Sequence, residues 1–363
     1  MSAVSVLRSH ISRADPRGIA PDDISIAAGN LKFPVLCRQI GGEDPLVRRN
    51  ALEAIATGDL LDLAPDAVSA VEAGLIARLF ALLADPEPRM RVWAMQAVKK
   101  CTKVRVGRNE LLRDDIFPSL VRPDLLGDGE SAVRRHILST LVALTDSPLN
   151  ASIVVDYGVV ALLVARAGAE DDEGAKVLAI AAIDNCTRLP GNDGVVAAVQ
   201  DGAIELCVSV LGEGSASERV MLGAARLLEK LTHWPQGKQR ALDCFCLDSL
   251  CANLEHPHDE VKAACARALG NIAVPTRGKI DLATACDVPF VESLVTLLGL
   301  SQPADVQLSA VAAISTICAH PKLREALNAA GVCEALELCT TDASEPLLCS
   351  SARDAVAALQ WQP

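Results

Sequence analysis

The fold class this sequence predicts is an all-α, right-handed superhelical solenoid of about eight repeats, and three observations lead there. The first is the stretch from Asp259 to Ala273. Val261, Cys265, Ala268, Leu269 and Ile272 fall at i, i+4, i+7, i+8 and i+11, a single apolar stripe on a helix. Asp259 and Glu260 stand at its start, where carboxylates complement the exposed N–H groups. The second is recurrence. With Val261 as anchor, equivalent positions are Val47, Met90, Val133, Ala175, Val220, Val306 and Leu348, each 41 to 45 residues from the next. The third is composition. Half the chain is apolar, yet only nine residues are aromatic (Phe 5, Trp 3, Tyr 1), so Ala, Leu and Val must fill the core, which suits close-packed helices.

A helix of this kind cannot bury its stripe alone, so copies must stack. A period near 43 residues with this pattern is that of armadillo or HEAT units. The residue after the anchor is basic in five copies (Arg48, Arg91, Arg134, Lys176, Lys262), and the fourth is small in six (Ala51, Ala94, Ala179, Ala224, Ala310, Ala352). Acids stand three residues before the anchor at Asp44, Glu87, Glu130, Asp172 and Glu345. They are expected to form acid–base ladders with the basic residues and to hold neighbouring repeats in register.

In chain order, residues 1–28 form an N-terminal arm with Pro16, Gly18 and Pro21, and residues 29–363 the repeats. Val4, Leu7 and Ile11 in the arm suit a short amphipathic turn. A helix is expected from Asn30 to Ile40 and the first anchor helix from Glu43 to Ala56. Repeat two should hold helices at Val68–Glu72, Gly74–Ala84 and Pro86–Cys101. The second-helix pattern recurs at Gly158–Val164, Gly202–Leu211, Val288–Leu298 and Gly331–Cys339, with Gly turning the chain ahead of it. Pro118 and Pro123 should break or shorten the second helix of repeat three. Glu170–Glu173 reads as an acidic loop, with Asp171-Asp172 as solvated charges.

The charge balance is 34 basic against 46 acidic residues, a net of −12 with pI near 5. That disfavours nucleic acid and anionic membranes as partners. The longest apolar runs are too short to span a bilayer. Residues 1–14 carry Arg8 and Arg13 without an acid, a faint likeness to a transit peptide that Asp15-Pro16 soon breaks. The thirteen cysteines sit mostly at helical apolar positions, among them Cys101, Cys186, Cys207, Cys265, Cys318 and Cys339, with no CxxC pair. They read as buried free thiols in a reducing compartment.

Nothing in the sequence calls for catalysis, a cofactor or a metal. There is no GxSxG, no HExxH and no phosphate-cradling glycine loop. Gly127-Asp128-Gly129 and Gly212-Glu213-Gly214 are expected to be inter-helix turns. Cys244, Cys246, Cys251, His256 and His258 cluster in sequence, but their spacing does not converge on a point.

The groove positions carry more information. Armadillo grooves of the importin and catenin type present Trp at anchor+6 and Asn at anchor+10. Here anchor+6 is never Trp, and anchor+10 is Asn only at Asn185 and Asn271. What remains is a basic strip, Arg226, Lys230 and Arg267, flanked by those two Asn. It is the candidate site for an acidic or extended segment of a partner protein. A second basic cluster is Lys99, Lys100, Lys103, Arg105 and Arg108. For both clusters a solvated surface is the plainer alternative.

The chain also resembles the radial spoke head 14 family of armadillo-repeat proteins. The likeness is carried by Asp15-Pro16, by Ala28-Gly29 with Pro34 and Leu36, by the run Glu43-Asp44-Pro45-Leu46-Val47-Arg48-Arg49-Asn50-Ala51-Leu52, and by Val106-Gly107-Arg108. It extends over the whole length, with an Ala- and Cys-rich composition and a Pro-interrupted third repeat as departures. The resemblance implies a non-enzymatic scaffold of the ciliary or flagellar axoneme. Its partners would be other radial spoke or axonemal proteins, and its location the cytoskeleton of the cilium. The alternative is a soluble armadillo adaptor binding extended peptides in transport, chaperone or ligase complexes.

Overall fold

The structure is a computed structural model and describes residues 29–214, 216–285, 289–340 and 345–361. The expected N-terminal arm lies outside the described residues. Every regular element among the described residues is helical. Contacts divide the chain into two compact units, Met1–Leu162 and Leu163–Pro363.

The eight anchor helices all form. We number them α1 (Pro45–Thr57), α2 (Pro88–Cys101), α3 (Ser131–Thr145), α4 (Glu173–Cys186), α5 (Glu218–Leu231), α6 (Asp259–Ile272), α7 (Ala304–Ile317) and α8 (Pro346–Gln360). In the first unit α1 packs on α2 and α2 on α3; in the second, α4 to α8 stack in sequence, each on the next. Each unit is thus an α-solenoid. Seven of the eight anchors are buried, Val47 alone being half-exposed, and all six small residues at anchor+4 are fully buried. Small side chains there let the helix backbones approach. A Cβ added at Gly270 on α6 would lie 3.2 Å from Ala313 Cα on α7.

The helix starts explain the recurring acids. Asp44, Glu87, Glu130, Asp172 and Glu345 are the N-cap residues of α1, α2, α3, α4 and α8, and Asp44 and Asp172 cap with their side chains. Asp44 accepts from the Leu46 N–H and Asp172 from the Ala175 N–H at 2.9 and 2.8 Å, satisfying groups the helix itself leaves orphaned. Asp172 is therefore no mere loop charge. The Glu170 side chain is fully buried and pairs with Arg166, which anchors the start of the acidic loop. Three of the five basic residues after the anchors fasten their helix to its own preceding loop, while Lys262 reaches Gln302 of the next repeat at 2.9 Å. Arg48, Arg91 and Arg134 each donate to the carbonyl six residues earlier, at Gly42, Asp85 and Asp128.

The second helix of repeat three is broken as the prolines predict, into Phe117–Leu120 and Pro123–Leu126. The turn into the second helix uses the left-handed region at Gly74, Gly158, Gly202 and Gly331. At the corresponding place in repeat six stands Phe245, with φ 54 and 82% exposed, the one non-glycine with positive φ among the described residues. A Cβ in that region costs roughly 1–2 kcal/mol, against 0.5–1 kcal/mol of extra chain entropy for glycine. Phe245→Gly is therefore expected to raise stability by up to about 1 kcal/mol, read as a higher urea midpoint at unchanged slope; a lower midpoint would show that the ring contributes packing.

The cysteines follow their sequence positions. Cys101, Cys186, Cys207, Cys265, Cys318 and Cys339 are buried and unbridged. Burial pushes the thiols of Cys101, Cys186 and Cys265 up to about 12, which leaves them protonated and unreactive at neutral pH.

Candidate functional site

The register read from the sequence places anchor+6 on one surface. Its eight residues are Glu53, Gln96, Ser139, Ala181, Arg226, Arg267, Ala312 and Asp354, and none is buried. A helix whose anchor, +4, +7 and +8 positions face the core must turn +6 outward, so the stacked third helices within each unit expose a row. This row is the candidate interaction face of each unit.

In the second unit the structure brings the five predicted residues onto three adjacent helices, α4, α5 and α6. It does not leave the cations unopposed. Arg226 pairs with Glu260 of α6 at 2.6 Å, and Lys230 pairs with Asp184 of α4. Arg267 donates to Glu229 of α5 at 2.7 Å and to Ser309 of α7 at 2.7 Å, with Asp305 at 3.3 Å. Burial works against the Arg267 charge, but Glu229 and Asp305 outweigh it, so the guanidinium is held protonated. Three cations thus face four carboxylates. The cationic strip expected from the sequence is corrected to a charge-balanced ladder that ties α4 through α7 together. Register-holding ion pairs between repeats do exist, with bases at anchor+1 (Arg91), +6 and +10 and acids at anchor+9 (Asp184, Glu229), just before the anchor (Glu260, Asp305) and in the preceding loop (Asp128).

The two Asn are also occupied. Asn185 is buried on α4 and is engaged within the chain. The Asn271 amide donates to the Glu229 carbonyl at 3.2 Å and lies 3.4 Å from Thr232 Oγ1, across to the end of α5. Neither presents a free amide to both edges of an extended backbone.

The second basic cluster divides. Arg108 donates to the Thr102 carbonyl at 2.6 Å and so belongs to the turn after α2. Lys99, Lys100 and Lys103 instead border a cavity of about 310 Å³ on the outward face of α2 and α3. Sequence reasoning left His136 out of this group. It lines the same cavity from α3, and burial, Lys99 and Arg135 push its imidazole down to about 4, so it is neutral at physiological pH. Its signal in the sequence was present but weak, a lone histidine at anchor+3 beside two arginines.

The Cys244–His258 cluster does not converge. Cys246 is buried, while the His256 ring accepts from the His258 N–H at 3.1 Å and thereby orders the loop before α6. Among the described residues no group of three His, Cys, Asp or Glu is placed to hold a metal ion. Gly127-Asp128-Gly129 is a turn, as expected, but Asp128 has a second task that the sequence did not disclose. Its carboxylate receives both arms of Arg91 at 2.7 and 3.0 Å, and its Oδ1 also accepts from the Glu130 N–H.

These stacked triplets, with their exposed third-helix row, define an armadillo-type repeat fold. No family model matches the chain. Among solved structures, it is similar to an engineered protein at 24% identity and TM-score 0.76, covering 92% of this chain and 79% of that one. It is similar also to a designed armadillo repeat protein solved in complex with the peptide (KR)4, at 22% identity and TM-score 0.59, covering 67% of this chain and 99% of that one. A further designed armadillo repeat protein aligns at 23% identity with the same TM-score. At these identities the likeness establishes the fold.

Proposed function

We propose that this chain is a non-enzymatic scaffold that holds extended segments of partner proteins on its third-helix face, and that it serves as a radial spoke component of the axoneme. The observation that carries the scaffold reading is the outward row at anchor+6 in each unit, unburied in all eight copies and built on stacked helices. The designed armadillo protein solved with (KR)4 supports it, since a peptide is held there by the same architecture. The axonemal assignment rests on the resemblance carried by Glu43–Leu52 and Val106-Gly107-Arg108, and through it the chain would support regulation of dynein-driven motility. In this reading Arg226, Lys230 and Arg267 mark the second unit's share of the docking face, with Asn185 buried on α4 and Asn271 bonded to the end of α5. A partner meets a balanced ladder there and gains its hold by exchanging with Asp184, Glu229, Glu260 and Asp305, not by entering a positive field.

The ladder dictates the test. Reversing the three cations to Glu would set them against four carboxylates, so neutral substitutions are the fair probe. Arg226→Gln and Lys230→Gln remove partly exposed pairs worth at most about 1 kcal/mol each, whereas the Arg267–Glu229 pair is half-buried and Arg267→Gln costs more, so unchanged helicity of the triple variant is checked first. The triple variant, expressed in ciliated cells, is expected to be lost from demembranated axonemes that retain wild type at low salt. Retention of the triple variant at wild-type level would remove this face from the docking surface. A wild-type protein that washes out at low salt would favour the soluble peptide-binding adaptor instead.

A further inference from the structure

We infer that the cleft between α2 and α3, bordered by Gln96, Lys99, Lys100, Lys103, His136 and Ser139, binds the carboxylate side chains of an extended acidic protein segment. The inference rests on the reading of the third-helix face as a docking surface and gives it a ligand chemistry in the first unit. It starts from charge. Three ammonium groups surround a cavity of about 310 Å³ that no carboxylate lines, in a chain whose net charge is −12. The second unit's face is the internal contrast, because every cation of its ladder has a carboxylate opposite.

The lysines are only partly committed. Lys100 gives one N–H to the Gly58 carbonyl at 2.6 Å, which leaves two of its three donors. Lys103 pairs with Asp62 at 2.8 Å, but both side chains are exposed, so the pair opens at little cost. Lys99 is exposed, and its ammonium group makes no hydrogen bond or ion pair among the described residues; it lies near His136, whose charge it opposes. An anion seated between Lys99 and His136 would relieve that opposition. The neutral imidazole keeps one ring N–H to donate.

The remaining lining groups favour polypeptide. Gln96 and Ser139 are the anchor+6 residues of α2 and α3, and between them they offer donors and acceptors to both edges of an extended backbone. The volume stands at the lower end of ligand clefts, enough for one or two side chains of a passing chain. Nucleic acid would need a long basic track and several aromatic faces for the bases, and the cleft has no Phe, Tyr or Trp in its lining.

The test uses the full chain and a fluorescein-labelled decapeptide of alternating Glu and Ser, followed by fluorescence anisotropy at low salt. Saturable binding is expected, with the corresponding Lys-Ser peptide and a ten-nucleotide oligouridylate bound at least tenfold more weakly. Lys99→Glu with Lys103→Glu should weaken the Glu-Ser peptide at least tenfold at unchanged helicity. Lys99→Gln with Lys103→Gln, which removes charge alone, should weaken it severalfold and serves if the reversal variant misfolds. No saturable binding up to millimolar concentration, equal binding by the folded lysine variants, or tighter binding of the oligouridylate would each overturn the inference. Axonemal retention of the Lys99→Gln, Lys103→Gln variant is read in parallel. Retention without peptide binding by wild type would reject this cleft and leave the scaffold reading standing, whereas wild-type wash-out sinks the axonemal assignment whatever the peptide result.

Discussion

Leu269→Ala is expected to destabilise the protein by about 2–5 kcal/mol, toward the upper part of that range. Leu269 is fully buried on α6, and its neighbours along the stripe, Cys265, Ala268 and Ile272, are fully buried as well. The cost of such a truncation depends on how far the surroundings collapse into the space left behind. Here they can move little, because α6 and α7 already touch backbone to backbone near Gly270 and Ala313. In a solenoid each repeat is stabilised by its neighbours, so the loss should pass to α5 and α7, the two helices on which α6 packs. Urea denaturation gives the magnitude, and hydrogen exchange gives the spread. Protection in α5 and α7 should fall along with that in α6. If only α6 lost protection, the repeats would be independent and the stacking account would be wrong.

Asp128→Ala should cost about 3–5 kcal/mol, because it breaks a buried pair by removing one partner. The Asp128 side chain is 9% exposed and that of Arg91 17%. Alanine would leave the guanidinium uncompensated and the Glu130 N–H at the start of α3 without its acceptor. Asp128→Asn keeps an acceptor for that N–H and should cost less. The pair also fixes a pH window. Burial works to raise the Asp128 carboxyl, but the Arg91 hydrogen bonds and the Glu130 N–H outweigh it, and the group is held below the ordinary carboxylate range. A carboxyl whose folded value is depressed contributes stability that is present above its unfolded value, about 3.9, and is lost as pH falls through the folded one. The stability difference between wild type and Asp128→Asn should therefore be constant from pH 7 to 5 and shrink below about pH 4. A difference that persisted unchanged at pH 2–3 would show that packing, not charge, accounts for it.

The sequence by itself determined the repeat. Apolar spacing along one helix turn is local, so the eight anchors, the small residues beside them and the Pro-broken segment after Ile116 were all legible before any tertiary contact was known. The left-handed turns were legible too, because Gly recurs at them; Phe245 was not, because nothing nearby in the sequence marks a left-handed Phe. The tertiary structure alone decided how the charges pair. Arg91 meets Asp128 across 37 residues, Arg226 meets Glu260 across 34, Lys230 meets Asp184 across 46 and Arg267 meets Glu229 across 38. A repeat of 41 to 45 residues brings about the same set of acids and bases to every junction. Which of them come within bonding distance depends on the offset between adjacent third helices, a matter of a few ångströms set by how Ala, Leu and Val interlock beneath. For the same reason one unit's face closes into a balanced ladder while Lys99 and its neighbours are left facing an open cleft.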